Sequence, residues 1–257
     1  MSTILITGCS SGFGLDAARY FLDHGWDVIA TMRTPNAGSL PKSDRLRVLP
    51  LDVTKPDSIR ALADAAGPID ALVNNAGIGL ASIVEGTSMQ TARAIFETNL
   101  FGALAVTQAF LPRLRERKGV IVNVSSSVTH RPLPLLAIYS ASKAALNAFT
   151  ESLAIELEPQ GVRVRLVLPG QSPETPFGQN AQANMREQGV TIPEPYAAFA
   201  KATFEAMMAR KGPLTKPIDV SEAIWRAVTD PVAPLRQAAG ADSIAAAQFS
   251  QASSRNA

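Results

Sequence analysis

The chain has almost none of the residues that build metal centres or disulfide frameworks: one cysteine, Cys9, and two histidines, His24 and His130, in 257 residues. A lone cysteine excludes an intrachain disulfide and any multi-cysteine metal site, and it fits a reducing, cytoplasmic setting. No cluster of ligating residues appears, so no metal is expected, and the two histidines read as solvated or capping groups. Net charge is scarce as well. Twenty-four basic against twenty-two acidic residues leave +2, which gives no reason to expect a nucleic-acid partner. A long uncharged apolar run is also missing, so no membrane span is expected, and the first residues lack the pattern of a signal peptide.

What is present is a globular composition, 46% hydrophobic with 18% charged, long enough to bury a large core. Short apolar runs at 4–6, 28–30, 48–51, 71–73, 120–124 and 164–168 read as strands buried on both faces. Between them, 14–24, 58–66, 90–117 and 137–158 have helical length and spacing. The alternation predicts an α/β fold, a single-domain, Rossmann-type doubly wound parallel sheet with helices on both faces. Residues 171–217 break the rhythm with several prolines and with Phe177, Met185, Tyr196, Phe199, Phe204, Met207 and Met208; they predict an insertion covering a site. From about Ala238 the chain is rich in Ala, Ser and Gln and reads as a tail that frays at its end. Arg113, Arg115, Arg117 and Lys118 form a basic run at a predicted helix C-terminus, where cations complement the dipole.

Two motifs carry chemistry. After the first strand comes T-G-C-S-S-G-F-G, with glycines at 8, 12 and 14, opening into an amphipathic helix. Glycines allow a tight turn and close backbone approach to a pyrophosphate, and the helix N-terminus supplies free N–H groups. Further on, Tyr139 and Lys143 in Y-S-A-S-K share a helical face. An ammonium there can lower the cost of forming phenolate on a group that otherwise titrates near about 10.

The spacing G-x-x-x-G-x-G, followed in order by Asn74-Asn75-Ala76-Gly77, Asn99, Ser126, Tyr139, Lys143 and Pro169-Gly170, resembles the short-chain dehydrogenase/reductase family. The resemblance implies that Asn99, Ser126, Tyr139 and Lys143 are catalytic. Tyr139 would exchange the proton, Lys143 would lower its pKa, Ser126 would bind the substrate oxygen, and Asn99 would support a water in a proton relay. It implies a nicotinamide cofactor held by Gly8, Ser10, Ser11, Gly12, Phe13, Gly14, Asp52, Val53, Asn75, Ala76, Gly77, Tyr139, Lys143, Pro169, Gly170 and Thr175. One residue more than the family's usual spacing separates Pro169-Gly170 from Thr175. Where many members carry an acidic residue after the second strand, this chain has Met32 and then Arg33, whose guanidinium suits a 2′-phosphate, so NADP(H) is expected. The aromatic and methionine side chains of 171–217 suggest a hydrophobic or aryl ketone and its alcohol, with Phe177 and Tyr196 as wall residues beside Ser126 and Tyr139. A 3-oxoacyl-thioester reductase and a non-catalytic NADP-sensing regulator are the competing readings. The resemblance also implies a homodimer or homotetramer.

Overall fold

A strand of Val, Ile, Leu and Ala with no polar face is stable only between two helical layers, and each short apolar run takes that position. The computed structural model describes residues 2–209 and 212–255. Its strands are β1 Thr3–Ile6, β2 Asp27–Met32, β3 Leu46–Pro50, β4 Ala71–Asn74, β5 Val120–Val124, β6 Arg163–Pro169 and β7 Arg236–Ala239. They pair in parallel in the order β3-β2-β1-β4-β5-β6-β7, a Rossmann-type doubly wound sheet. Strand order reverses between β1 and β4, so the loops leaving these two strands diverge and open a crevice at the carboxyl edge.

The helices are α1 Gly12–Asp23, α2 Pro56–Ala66, α3 Met89–Phe96, α4 Ala103–Arg117, α5 Ala137–Leu157, α6 Phe177–Glu187, α7 Ala197–Met208, α8 Pro217–Thr229 and α9 Ala241–Arg255. In α1, Gly14, Ala17, Ala18, Phe21 and Leu22 are buried at the i, i+3, i+4, i+7, i+8 spacing of one helical face. They pack with Ile4 and Ile6 of β1 and with Val220 and Ile224 of α8. Full burial of Phe21 alone contributes about 1.5–3 kcal/mol. Leu5 points to the opposite face, as strand alternation requires, and meets Ile59 and Leu62 of α2, Phe110 of α4 and Leu153 of α5.

Two sequence expectations change. Residues 90–117 are not one uniform α-helix: between α3 and α4, Glu97–Gly102 is a π-helical segment. The whole stretch Met89–Arg117 is long and apolar enough, by those measures alone, to cross a membrane. Its apolar face is already occupied, however, with Val106, Phe110 and Leu114 buried against the sheet. The supposed tail contains β7, the last strand, followed by α9. The irregular stretch 171–217 holds α6 and α7; among its described residues before Thr215, only Thr175 and Ala200 are buried. Residues 210 and 211 of that stretch lie outside the described residues.

The basic run is partly neutralised within the chain. Arg113 donates to the Ala63 carbonyl at 2.9 Å, and Arg117 donates to Asp70 at 2.9 Å.

Candidate active site

One wall of the crevice is the glycine turn after β1. Gly8 (φ +75°) and Gly12 (φ +57°) take left-handed conformations that a side chain resists. Gly14 is required for space: a Cβ there would overlap the Gly8 carbonyl and approach Asn75 Nδ2 to 2.5 Å. Asn75 holds the turn from the β4 side, its Nδ2 donating to the carbonyls of Thr7 at 2.9 Å and Gly8 at 3.2 Å. The amides of Asn75 and Ala76 both donate to Thr7 Oγ1 at 2.9 Å. Ser11 caps α1 through extended backbone and makes no side-chain capping bond, and Ser10 is exposed beside it. The first-turn amides of Gly12, Phe13 and Gly14 therefore have no side-chain cap from Ser11, and free amides at a helix N-terminus are the groups to which a phosphate binds.

At the end of β2 the Met32 side chain turns into the core, and Arg33 is exposed at the rim. No hydrogen bond or ion pair holds Arg33 among the described residues. Asp52 accepts from the Thr54 amide at 3.0 Å and the Thr54 hydroxyl at 2.7 Å. Burial raises its pKa, but these bonds, with Arg33 and Lys55 nearby, bring the carboxyl below its ordinary value. Val53 packs into the core, in contact distance of Gly102 in the π-helical segment.

The opposite wall is α5. Tyr139, Ser142, Lys143, Leu146 and Asn147 are buried along one of its faces. Lys143 Nζ donates to the Val124 carbonyl at 3.0 Å. Asn99, inside the π-helical segment, accepts from the Ile78 amide at 2.8 Å, and its Nδ2 donates to the Ile78 carbonyl at 3.0 Å and to Ser142 Oγ at 3.1 Å. π-Segments of this kind recur at functional sites. These groups converge on Gly77, where a Cβ would lie 3.2 Å from Asn99 Oδ1 and 3.5 Å from Lys143 Nζ.

Of the three consecutive serines, Ser126 is the one that acts on the phenol, lowering its pKa, while its hydroxyl accepts from the Val128 amide at 3.3 Å. Ser125 is turned away, donating to the Lys143 carbonyl at 3.3 Å. Ser127 begins the 3-10 turn Ser127–Thr129. Burial pushes the Tyr139 phenol up to about 12, partly offset by Ser126, and draws Lys143 down to about 8. The expected lowering of the tyrosine by the lysine is not what sets its pKa: burial raises it and Ser126 is the group that offsets this.

Pro169 closes β6 and Gly170 follows it against Asp242. Despite the extra residue, Thr175 reaches the glycine turn, its Cβ 3.5 Å from where a Cβ on Gly12 would stand. Phe177 stands 6.1 Å from Tyr139, centroid to centroid, and covers Gly79. Tyr196 instead joins a neighbouring apolar cluster with Ile83, Leu135, Ala200 and Phe204, and a hydrogen bond to Glu85 raises its phenol above the ordinary range. Around Tyr139 the packed side chains are apolar: Leu80 and Ile95, with Ile78, Val128, Leu136, Ile138, Met185 and Val190.

The histidines stand outside this constellation. His24 stacks on Tyr20 at 4.2 Å near the end of α1, and the half-buried His130 follows the 3-10 turn, its pKa lowered by burial and by Arg236. No group of three or more His, Cys, Asp or Glu residues could hold a metal among the described residues. Sequence reading missed Thr7 and Ser142. Both lie within the quoted motifs, Thr7 as the first residue of T-G-C-S-S-G-F-G and Ser142 beside the lysine of Y-S-A-S-K, but neither spacing shows which backbone or side chain its hydroxyl meets.

A glycine turn at the switch point of a doubly wound sheet faces half-buried Ser126 and buried Tyr139 and Lys143, which places a dinucleotide-type turn beside a proton-handling group. The family model for short chain dehydrogenase matches residues 2–186, and the chain belongs to the short-chain dehydrogenase/reductase family. Human retinol dehydrogenase 8 is 36% identical over 252 residues, covering 91% of this chain and 80% of its own. Bovine mitochondrial D-beta-hydroxybutyrate dehydrogenase is 38% identical over 182 residues, covering 65% of this chain and 53% of its own. The chain spans 53% to 65% of the length of the first curated relatives it matches. The structure of a short-chain dehydrogenase from Streptomyces avermitilis superposes with a TM-score of 0.84 at 32% identity, covering 99% of this chain and 93% of that one. Other solved relatives are complexed with either cofactor form, NADH in one and NADP in another.

Proposed function

We propose that the protein is an NADPH-dependent carbonyl reductase, in reverse a secondary alcohol dehydrogenase, acting on hydrophobic or aryl ketones. The observation that carries this reading is that Tyr139 and Lys143 are buried on one face of α5, with Lys143 bonded to the Val124 carbonyl beside Ser126, in surroundings that are otherwise apolar. A bound nicotinamide would be held by the glycine cradle, Asn75, Ala76, Gly77, Lys143, Gly170 and Thr175, and would supply the hydride. The chain's own work is to orient the ketone and manage the proton. Ser126 donates to the substrate oxygen and Tyr139 protonates it as negative charge builds. A phenol pushed up to about 12 stays protonated at neutral pH, as a proton donor must be. Lys143, at about 8, can pass a proton on near physiological pH. The side-chain atoms of Asn99 are engaged with Ile78 and Ser142, so a water-supporting role falls to the main chain of the π-helical segment.

NADPH is preferred in this reading because Arg33 is exposed at the rim, near Asp52, while the preceding position offers no carboxylate. A small hydroxy acid would require a cation for its carboxylate, and the cluster packed around Tyr139 supplies only apolar side chains. That likeness to the hydroxybutyrate enzyme therefore carries less weight here than the likeness to a retinol dehydrogenase, whose named substrate is apolar. A 3-oxoacyl-thioester reductase would need a basic docking surface for an acidic carrier, and Arg113 and Arg117 are bound within the chain. A cofactor sensor without turnover would not need all four of Asn99, Ser126, Tyr139 and Lys143. Exposed Phe101, and Ile155 on α5, fit assembly into a homodimer or homotetramer, and buried Cys9 fits the cytoplasm. The test is NADPH consumption across apolar ketones, acyl thioesters and sugars, with NADH in parallel. Turnover confined to thioesters, or none at all despite tight NADPH binding, would replace this reading with one of the other two.

A further inference from the structure

The stretch between β6 and α8 contributes Thr175 to the cradle and Phe177 to the tyrosine, yet it has almost no core of its own. Beyond the packing of Met185 and Val190 near Tyr139 and of Tyr196, Ala200 and Phe204 on Ile83 and Leu135, its two stems fix where it begins and ends. Gln171 leaves the sheet and Thr215 returns to it, and the Thr215 amide donates to the Gln171 carbonyl at 3.0 Å. Both stems then bond one carboxylate from the first turn of α9. The Gln171 amide donates to Asp242 Oδ2 at 2.8 Å, and Thr215 Oγ1 donates to Asp242 Oδ1 at 2.6 Å. Thr215 Oγ1 in turn accepts from the Gly170 amide at 3.0 Å. Thr215 is 1% exposed and Asp242 8%. The knot also dictates its neighbours: a Cβ on Gly170 would overlap the Asp242 carboxylate, and one on Gly240 would overlap the Thr215 hydroxyl.

We propose that Asp242 and Thr215 are positioning residues that clamp the stem at Gln171 and thereby hold Thr175 over the glycine turn and Phe177 beside Tyr139. None of the bonds in the knot involves Ser126, Tyr139, Lys143 or Asn99, so releasing it loosens the cover and leaves the proton-handling group in place. The consequence for turnover rests on the reductase reading above; the consequence for the cover does not.

The experiment compares the native chain with Thr215→Val, Thr215→Ser and Asp242→Asn by hydrogen–deuterium exchange without cofactor, and by steady-state reduction of an aryl ketone. Thr215→Val and Asp242→Asn should speed amide exchange in 172–209 about tenfold or more, leaving β1, β4 and β5 unchanged. The KM for ketone should rise about tenfold with kcat falling less than about threefold, and Thr215→Ser should restore both. Unchanged exchange in 172–209, or acceleration spread equally through the central strands, overturns the clamp. Absence of turnover in the native chain refutes the reductase reading and leaves the exchange result to judge the clamp alone.

Discussion

Replacing Lys143 by methionine reads the electrostatics of the site without any substrate. The ammonium is 4% exposed and donates to the Val124 carbonyl, and burial moves its pKa from 10.5 to about 8. A lysine whose folded pKa lies below its unfolded value costs stability wherever the folded group must stay charged. The cost is full below about pH 8 and is relieved as the pH rises toward 10.5. At about 1.36 kcal/mol per unit the shift is worth about 3 kcal/mol at neutral pH. Losing the bond to Val124 returns about 1 kcal/mol of that. Lys143→Met should therefore be about 2 kcal/mol more stable than the native chain at pH 7, with the advantage gone near pH 10. Tyr139 stays in both proteins. With a folded pKa raised to about 12, its contribution is present below about pH 10 and is lost as the pH rises through about 12; it cancels in the comparison. Urea unfolding at pH 7 and pH 10 is the assay. A variant less stable than the native chain at pH 7, or an advantage that does not shrink by pH 10, refutes the reasoning.

Other perturbations test separate parts of the site. Gly14→Ala drives a methyl into the Gly8 carbonyl and toward Asn75, so NADPH affinity by fluorescence titration should fall at least about tenfold, a loss of about 1.4 kcal/mol; unchanged affinity contradicts the cradle. Arg33→Ala removes a charged donor worth about 1.5–3 kcal/mol to a phosphate, so kcat/KM for NADPH should drop about tenfold to a hundredfold with NADH unaffected. Equal losses for both would remove Arg33 from cofactor selection. Ketone reduction should decline as the pH rises past about 8, where Lys143 gives up its proton; a rate that climbs between pH 7 and pH 9 opposes that assignment.

The central sheet was legible because strands buried on both faces are written as continuous apolar runs, as in Val120–Val124. β7 was not: its sequence is Arg-Gln-Ala-Ala, with no β-branched or aromatic residue, and it pairs only at the sheet edge, with β6. The π-helical segment around Asn99 was invisible because it changes the hydrogen-bond register without changing composition. The Tyr–Lys pair was readable from helical spacing, but the direction of the tyrosine's pKa was not, since that depends on burial by residues distant in sequence such as Leu80 and Ile95. For the same reason the Thr215–Asp242 knot left no local signature, its partners being brought together only by the return of the chain to β6.

Tyr139→Phe tests the central claim most directly. The variant should bind NADPH as the native chain does, because removing one hydroxyl leaves the glycine cradle and Lys143 intact. It should lose about a hundredfold or more of its ketone turnover, the contribution of a positioned proton donor. Reduction at the native rate by that variant would contradict the account.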